Sequence, residues 1–463
     1  MLPIILLLLT AISAIADDSV TCSGIVPMPK RLDNISITDF GGVGDGKTMN
    51  TKAFTKAIYR IQHLRRRGGT LLYIPSGVFL TDSFNLTSHM TLFLANGAVI
   101  KATQCTYSRK LGHLRMEIAF LLKNHRVFLA CQDETKIYSA KVLQMTAWLK
   151  MRFRYDRGNG CGVTEGGSEK EEGENGTIDG QGDVWWNLWR RKTLLYTRPH
   201  LIEFMRSKNI IISNVIFKNS PFWTIHPVYS SNVVIRYVTI LAPADSPNTD
   251  GVDPDSSSNV CVEDSHISNG DDMIAIKSGW DEYGVAYGRP SSDITIRRIT
   301  GSSPFAGIAI GSEMSGGVEN VLAEHINLSN MGVGIHIKTN VGRGGYIRNI
   351  TISNIYVEKA KKGIRIAGDV GDHPDDKFDH NAIPAVQDIT MKSIWGKNIQ
   401  QPGLVKGIKN APFTNICLSD INLNGPYKPR TKPWECSNVK GSSLKVSPRP
   451  CAELISSHAG SCF

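Results

Sequence analysis

A short phrase recurs through the second half of this chain, and it restricts the possible folds more than any other feature. Each copy opens with Asn or Asp and continues with a run of β-branched and apolar residues. The copies begin at Asn209, Asn232, Asn259, Asp293, Asn320, Asn349, Asp388 and Asn415. Such repeats are typical of solenoids, because one repeat cannot bury its own apolar face and has to stack on its neighbours.

The repeats predict an all-β fold, a right-handed parallel β-helix, since each copy holds two or three short strand-like segments. The Asn or Asp that opens each copy is expected at a turn, where its side chain can bond to the backbone. Aligned in neighbouring coils, these side chains would form a ladder. A β-sandwich is the alternative, but it predicts alternation and hairpin turns instead of a repeated phrase.

The region before residue 105 predicts a short N-terminal capping helix followed by strands. A helix from Asn50 to about Arg66 has apolar residues at spacings of three and four, with Asn50 as N-cap and Gly68-Gly69 as its end. Such a helix would cover the open end of the stack and hide its unpaired edge. Strands are expected at residues 70–74, 78–80, 90–94 and 98–100. The preceding Gly-rich loop lacks a following Gly-Lys-Ser/Thr, which disfavours nucleotide binding.

Residues 105–172 depart from this pattern. They contain three cysteines and scattered Lys and Arg, and they end in an acidic, Gly-rich run typical of disorder. We interpret them as an atypical insertion in a single β-helix domain that spans residues 17–463. A genuine insertion and translated non-coding sequence are both compatible with this composition.

The N-terminus predicts secretion. Residues 1–16 combine an apolar run with the small-x-small ending Ala14-Ile15-Ala16, as in a signal peptide, and they are too short to span a membrane. The mature protein is then expected outside the cell, as a glycoprotein with Asn-x-Ser/Thr acceptor sites. Four of the nine cysteines are predicted to form local disulfides near the C-terminus: Cys417, Cys436, Cys451 and Cys462.

The charge predicts an acidic partner. The chain holds 52 Lys and Arg against 42 Asp and Glu, a formal net charge of +10. Basic proteins attract nucleic acid, anionic membranes or acidic polysaccharide. Because no Lys/Arg block and no aromatic RNA-binding signature is present, nucleic acid is disfavoured. No later apolar run suggests a membrane span, so we predict an acidic polysaccharide as the partner, and a solvated basic surface is the alternative. We also expect a monomer.

Five aspartates are concentrated in two short stretches: Asp250, Asp253, Asp255, Asp271 and Asp272. Asp250 and Asp271 are 21 residues apart, close to one coil, and equivalent positions in adjacent coils lie about 4.8 Å apart. Neighbouring strand residues point to opposite faces, so Asp271 and Asp272 both reach one cluster only if Gly270 permits a bend. Turn formation is the alternative interpretation of any single aspartate.

A close set of carboxylates suits glycoside hydrolysis, in which one carboxylic acid protonates the leaving oxygen and one carboxylate activates water. Mutual repulsion helps to keep the acid protonated. The same set would also suit Ca²⁺, as a lyase requires. A solvated acidic edge is the interpretation without chemistry.

The ordered motifs resemble those of the polygalacturonases, glycoside hydrolase family 28, and particularly the plant members. The matching motifs are Asp39-Phe-Gly-Gly-Val-Gly-Asp-Gly46, Asn248-Thr-Asp250, Gly270-Asp-Asp272 and Ile308-Ala-Ile-Gly-Ser312, and the resemblance covers about residues 35–104 and 174–455. It implies a right-handed parallel β-helix that hydrolyses α-1,4-galacturonosyl bonds of pectin with inversion. It also implies no cofactor, no metal and a plant cell wall polysaccharide, pectin or polygalacturonate, as partner.

Residue roles follow from the resemblance. Asp271 would be the general acid, and Asp250 and Asp272 would activate water. The resemblance also implies substrate contacts by Asn248 and Lys338. Two positions depart from the family pattern and leave exo-action and a rhamnogalacturonan-type substrate as alternatives. Ala306 stands where a Gly-His-Gly motif has its histidine, and His336, a further expected substrate contact, stands where an Arg-Ile-Lys motif has its arginine; imidazole offers no bidentate fork.

Further contacts with an anionic polymer are expected from Lys277, Arg289 and Arg365, and Tyr283 and Tyr287 would suit stacking on sugar rings. His226 is a candidate to replace the missing histidine, although a structural role in a turn is the favoured interpretation. Two other functions remain open from the sequence. They are a calcium-dependent pectate lyase and a catalytically inactive relative that binds pectin.

Overall fold

The structure is a computed structural model that describes residues 31–104, 149–152, 161–164, 176–194, 197–426 and 432–455. Its strands pair in parallel, each with the equivalent strands one coil before and one coil after it. Long strands such as Val318–Lys338 and Tyr346–Ala367 remain in register over most of their length. The predicted parallel β-helix is therefore confirmed.

Strands predominate in the described residues, and helices are few there. In chain order the strands are β1 (Asp33–Ser36), β2 (Asp45–Met49), β3 (Thr70–Ile74), β4 (Gly77–Thr81), β5 (Phe84–Leu86), β6 (Met90–Leu94), β7 (Ala98–Ala102), β8 (Leu149–Arg152), β9 (Cys161–Thr164), β10 (Gly176–Asp179), β11 (Ile202–Met205), β12 (Lys208–Ser213), β13 (Val215–Lys218), β14 (Ile225–Val228), β15 (Ser231–Arg236), β16 (Thr239–Leu241), β17 (Ser258–Ser268), β18 (Ile274–Ile276), β19 (Ser291–Ser302), β20 (Ala306–Ile310), β21 (Val318–Lys338), β22 (Tyr346–Ala367), β23 (Ala385–Lys406), β24 (Phe413–Leu423), β25 (Trp434–Ser437) and β26 (Val439–Ser447). The α-helices are α1 (Thr51–Leu64), α2 (Asp183–Arg190) and α3 (Asp281–Tyr287), and short 3₁₀ helices cover Ile37–Phe40 and Ala452–Leu454.

The recurring Asn or Asp has one conformation in every copy of the repeat. All eight of these residues have a φ between 52° and 57°. This left-handed region is strained for most residues, but Asn and Asp tolerate it because their short polar side chains bond locally. The conformation explains why the repeat opens with these two residue types.

These side chains also form the predicted ladder. Asn232 Nδ2 donates to Asn209 Oδ1 at 2.8 Å, and Asn259 Nδ2 donates to Asn232 Oδ1 at 3.0 Å. The next segments run from Asp293 through Asn320 to Asn349 and from Asp388 to Asn415. A carboxylate accepts but has no amide hydrogen to donate. Each aspartate therefore begins a new segment of the ladder.

The core is a stack of aliphatic side chains, one from each coil. One inward row is fully buried and consists of Val262, Ile296, Ala323, Ile352, Met391 and Leu418. Burying a large aliphatic side chain contributes about 1.5–3 kcal/mol. Such rows replace the separate hydrophobic core that a single coil could not form.

The N-terminal region folds as predicted, with two differences in detail. Helix α1 buries the expected apolar face, and Phe54 stacks on Phe84 of β5 with ring centres 4.3 Å apart. Asn50 does not cap the helix with its side chain. Its Oδ1 instead accepts from the Val43 N–H at 2.7 Å, which ties down the Gly-rich loop. The helix ends at Arg65, with φ 40°, before the predicted Gly68-Gly69 stop.

Part of the expected insertion belongs to the stack, so its placement outside the repeat pattern was wrong there. Strand β8 pairs with β5 and β11, and β9 pairs with β6 and β12. The two strands supply a coil between the N-terminal coils and the repeats. Their sequences do not follow the repeat, but pairing on both sides places them in the stack. The remaining residues between 105 and 172, and the expected signal peptide, lie outside the described residues.

The strands that carry the aspartates form one face of the rod, which we call the site sheet. It consists of β5, β8, β11, β14, residues 252–255, β18, β20, the C-terminal ends of β21, β22 and β23, and β25. Cys436 of β25 forms a disulfide with Cys451, which confirms one local disulfide near the C-terminus. None of the helices in the described ranges is long and apolar enough to cross a membrane.

Candidate active site

The three candidate catalytic aspartates are brought together on the site sheet. Carboxylate oxygens of Asp250, Asp271 and Asp272 lie within 4.8 Å of one another. The spacing predicts Asp271 as the residue one coil after Asp250, and this is wrong by one position. The bridge between Val252 and Ile274 places Asp272 in register with Asp250, so Asp271 enters the cluster from the preceding bend.

The bend depends on a glycine, as predicted. A Cβ on Gly270 would overlap the carbonyl oxygen of Ser246. The Gly270 N–H donates to Thr249 Oγ1 at 3.0 Å, which fixes this close approach. Asn269 then joins the two stretches, because its Nδ2 donates to the carbonyls of Thr249 at 2.8 Å and Asp272 at 2.9 Å.

Asp272 is held as a carboxylate. It is buried, and Lys338 Nζ donates to its Oδ2 while the Ala306 N–H donates to its Oδ1 at 2.9 Å. Burial alone would raise the pKa of Asp272, but the Lys338 ammonium and these hydrogen bonds lower it below the usual value. Lys338 is thus committed to Asp272 in this structure.

Asp271 has the opposite tendency. Its side chain is partly exposed, and it is the most accessible member of the cluster. Burial, together with the neighbouring charge of Asp272, raises the pKa of Asp271 to about 6. Asp271 Oδ1 accepts from the Asp272 N–H at 2.8 Å, which orients the carboxyl group. Asp271 therefore keeps a proton in mildly acidic solution while Asp272 is ionised.

Asp250 is buried beside the other two aspartates and resists ionisation. Burial, followed by the charge of Asp271, raises the pKa of Asp250 well above its usual value. A second buried acid, Asp253, lies close by. Neither of its carboxylate oxygens has a hydrogen-bond partner among the described residues, and burial raises its pKa to about 8. The cluster thus contains one firmly ionised carboxylate, Asp272, among acids that retain protons.

Arg198 is a member of the site that the sequence did not indicate. It is buried, its Nη2 donates to Asn248 Oδ1 at 2.6 Å, and its guanidinium lies 4.8 Å from the ring centre of Phe222. Burial lowers its pKa to about 10, while the charges of Asp250 and Asp271 act against this shift. No motif surrounds Arg198, so only its position in the fold links it to the aspartates.

Lys277 is paired with acidic side chains within the site, so most of its positive charge is neutralised there. Its Nζ lies 3.1 Å from Glu313 Oε2, 3.9 Å from Asp253 Oδ1 and 4.4 Å from the ring centre of Trp223. Burial would raise the pKa of Glu313, but Lys277 and Lys338 hold it at about 2. Glu313 was not among the residues expected from the sequence, although it directly follows the motif that ends at Ser312.

His336 is neutral. It is buried beside Lys338, and burial together with the charge of Lys338 lowers its pKa to about 3. Its Nε2 has no hydrogen-bond partner among the described residues. This environment supports the expectation that His336 offers less charge than arginine.

Two histidine questions raised by the sequence are answered by the fold. Ala306 lies in register with Asp272 one coil further on, so the expected imidazole would have stood beside the aspartates. His226 is buried between two carboxylates, 3.5 Å from Glu203 Oε1 and 3.6 Å from Asp255 Oδ2. Burial opposes its protonation, but the two carboxylates raise the pKa of His226 to about 9. This environment supports the structural interpretation of His226.

The remaining candidates, Arg289, Tyr283 and Tyr287, lie in or next to helix α3. Arg289 Nη2 donates to the Ser230 carbonyl at 3.4 Å, and no hydrogen bond or ion pair within the described ranges joins it to the aspartates. Tyr283 donates to Asp375 Oδ2 at 2.9 Å, and Tyr287 packs on Tyr229 with ring centres 4.4 Å apart. Both tyrosines therefore pack helix α3 against neighbouring segments.

The arrangement can perform paired acid and base chemistry. Groups of the same type whose environments push their pKa values apart provide a proton donor and a proton acceptor at one pH. Asp271 and Asp272 are such a pair, adjacent in sequence and oriented by one hydrogen bond.

Comparison with known proteins places this site in a family. The family described as Glycosyl hydrolases family 28 matches residues 134–450. A protein from Vitis vinifera described as "Probable polygalacturonase" is 41% identical over 92% of this chain and 81% of its own length. The solved exopolygalacturonase from Thermotoga maritima is 26% identical, with a TM-score of 0.67 over 90% of this chain and 93% of its own. The resemblance drawn from the motifs is confirmed, and the chain belongs to glycoside hydrolase family 28.

Proposed function

We propose that this protein is a secreted polygalacturonase-type hydrolase that cleaves α-1,4-galacturonosyl bonds of pectin in the cell wall. The observation that carries the proposal is the pairing of a proton-bearing Asp271 with an ionised Asp272. The polygalacturonase descriptions of the relatives support the substrate class. Secretion is supported by the sequence of residues 1–16.

In the proposed reaction, Asp271 gives its proton to the glycosidic oxygen as the bond to the anomeric carbon breaks. Asp272 accepts a proton from a water molecule, whose oxygen forms the new bond to that carbon. Both carboxyl groups exchange protons with solvent before the next cycle. Asp250, implied by the resemblance as a second base, is better suited to donate a hydrogen bond to the water or the sugar, because its carboxyl group retains its proton.

Inversion remains a prediction from the family resemblance. The carboxylates of inverting glycosidases are usually about 6.5–9.5 Å apart, which leaves room for the attacking water. Here the nearest oxygens of the three aspartates are within 4.8 Å. The separation alone therefore does not favour inversion, and the anomer of the first product has to be measured by proton NMR.

The proposal is tested by a reducing-end assay with product sizing on polygalacturonate and on rhamnogalacturonan. Release of reducing ends from polygalacturonate is the expected result. Monomer alone would identify exo-action, and mixed oligomers would identify endo-action. Cleavage of rhamnogalacturonan alone would reassign the substrate. An unsaturated product that absorbs in the near ultraviolet would identify a lyase, and binding of folded protein without product would identify an inactive relative.

The pH dependence of kcat/KM is expected to show a descending limb near pH 6. Asp271 must be protonated to act, so activity is present below the raised pKa of about 6 and falls about tenfold per unit above it. Asp272 must be ionised, and its lowered pKa places the ascending limb below the usual carboxylate range. A profile measured in constant ionic strength buffers checks both limbs. Full activity retained up to pH 8 would exclude Asp271 as the acid.

A further inference from the structure

The family pattern has an arginine where this chain has His336. An arginine, Arg365, lies one coil further along the site sheet. His336 and Arg365 are Cα partners in the parallel pairing of β21 with β22. The two side chains therefore lie on the same face, about 4.8 Å apart along the rod. His336 is neutral, whereas Arg365 carries a permanent charge. The row of side chains thus regains a positive charge at Arg365.

A lysine adds to this charge. Lys362 precedes Arg365 on β22 and is partly buried. Burial, followed by the charge of Arg365, lowers the pKa of Lys362, and Lys361 adds to this, while the charge of Glu435 acts in the opposite direction. Like charges are therefore crowded together at this position, and no ion pair neutralises Lys362 among the residues that the structure describes.

The pairing of other cations on this face makes the contrast clear. Lys338 is bound to Asp272, and Lys277 is bound to Glu313. Within the ranges that the structure describes, neither Arg365 nor Lys362 has an acidic oxygen within ion-pair distance, and the buried Nε of Arg365 lacks a hydrogen-bond partner. An enclosed guanidinium donor without an acceptor is costly unless a ligand supplies one.

The register gives the distance from the aspartates. Asp272 is followed in successive coils by Ala306, Val333 and Lys362. Three strand spacings correspond to about 14 Å along the rod. An oligosaccharide of a few residues that lies along the site sheet would reach from Asp271 to this pair of cations.

We propose that Arg365 and Lys362 form a binding subsite for the carboxylate of an acidic sugar, on the side of the aspartates toward the C-terminus. The subsite rests on the proposed function, since it would hold a distant residue of the same polymer. The guanidinium of Arg365 suits bidentate binding of a carboxylate, and the ammonium of Lys362 adds a second charge.

The intervening coils have a different character. Ala306, Val333 and the neutral His336 present no free positive charge, and Phe305 exposes 52% of its surface beside them. The cation of the same coil as His336, Lys338, is already bound to Asp272. A sugar without a free carboxylate, either methyl-esterified or neutral, is therefore accepted nearest to the aspartates, and an acidic sugar is required further along.

The subsite is tested by measuring Kd calorimetrically in the Asp271→Asn background, where no cleavage interferes. The ligands are tetragalacturonate and its fully methyl-esterified form. Arg365→Gln and Lys362→Gln are each expected to weaken tetragalacturonate binding by roughly tenfold or more, since each removes a charged hydrogen-bond donor. Binding of the esterified form should change little. Lys392→Gln, the same change on an exposed strand position of another sheet, serves as the matched control and should leave both affinities unaltered.

The outcomes separate the subsite from the proposed function. Parental affinity in Arg365→Gln, equal weakening for both ligands, or failure of the parent to bind tetragalacturonate would each overturn the subsite. If the protein with Asp271 intact cleaves polygalacturonate but the two variants bind normally, the subsite fails while the hydrolase function stands. If binding responds as expected but no cleavage occurs, the subsite stands and the hydrolase function fails. Tests with rhamnogalacturonan tetrasaccharides then distinguish a neutral sugar from a methyl ester in the intervening position.

Discussion

Replacing Asp271 by Asn is expected to reduce kcat on polygalacturonate by about 10²- to 10⁴-fold, the usual contribution of a positioned general acid. The amide has nearly the same shape, but it has no proton to give to the leaving oxygen. Since Asp271 is partly exposed, the change should not unfold the protein. The measurement is the initial rate of reducing-end release at saturating substrate, near pH 5.

The pH profile and a surface variant provide the controls. If the low residual rate of Asp271→Asn no longer falls as the pH rises through about 6, Asp271 is the group that titrates there. Asp264→Asn removes a carboxylate of a surface ion pair, 2.6 Å from Arg298 Nε, and should leave kcat unchanged. A parental kcat in Asp271→Asn would remove this residue from the acid's role and leave Asp250 as the remaining proton-bearing candidate.

Replacing Arg343 by Met is expected to lower the free energy of unfolding by about 3–5 kcal/mol, the usual cost of removing one partner of a buried ion pair. Arg343 and Asp281 are fully buried and paired. Arg343 also donates to the carbonyls of Ser312 at 2.8 Å and Asp372 at 2.6 Å, and His373 contacts the second oxygen of Asp281 at 2.6 Å. Loss of Arg343 removes the permanent positive charge beside the buried Asp281 and the hydrogen bond to the Ser312 carbonyl.

Arg348→Met is the matched control in the same stack. Arg348 pairs with Glu319 at 2.6 Å, but 50% of its side chain is exposed. Exposed pairs contribute at most about 1 kcal/mol because water competes for both charges. Urea denaturation followed by circular dichroism measures both variants. Equal destabilisation by the two changes would show that burial of the Arg343 pair does not matter to stability.

Most of the fold could be predicted from the sequence of the repeat. One phrase with a fixed opening residue predicted the parallel stacking, and Asn232 and Asn259 lie in the ladder that was expected of them. The reason is physical, because identical coils must meet in identical register. Helix α1 was equally predictable, since its apolar face follows one helical period.

The electrostatics of the site were not predictable to the same degree. The motifs named Asp271 and Asp272, but the sequence placed the wrong one of them in register with Asp250. The bend at Gly270 adds a position that spacing alone does not reveal. Nor does any local pattern indicate that Lys338, 66 residues away, bonds to Asp272 and holds it ionised.

Long-range pairing also explains two further differences. Strands β8 and β9 lie in a segment that departs from the repeat, yet both pair with neighbours on two sides. Arg198 contacts Asn248 across 50 residues of sequence. In a solenoid the stack determines such contacts, and a short window of sequence does not contain them.

The hydrogen bonds of the Asn ladder share one direction along the rod, and slow deamidation of its asparagines would change them. Each amide donates toward the coil that precedes it, so the chain of dipoles points one way between one aspartate and the next. Slow deamidation of Asn232 would replace its donor by a carboxylate, which would then face the oxygen of Asn209 and no longer bond to it. Deamidation would therefore create new breaks in the ladder, like those at Asp293 and Asp388. Each new break would add one negative charge to a basic protein.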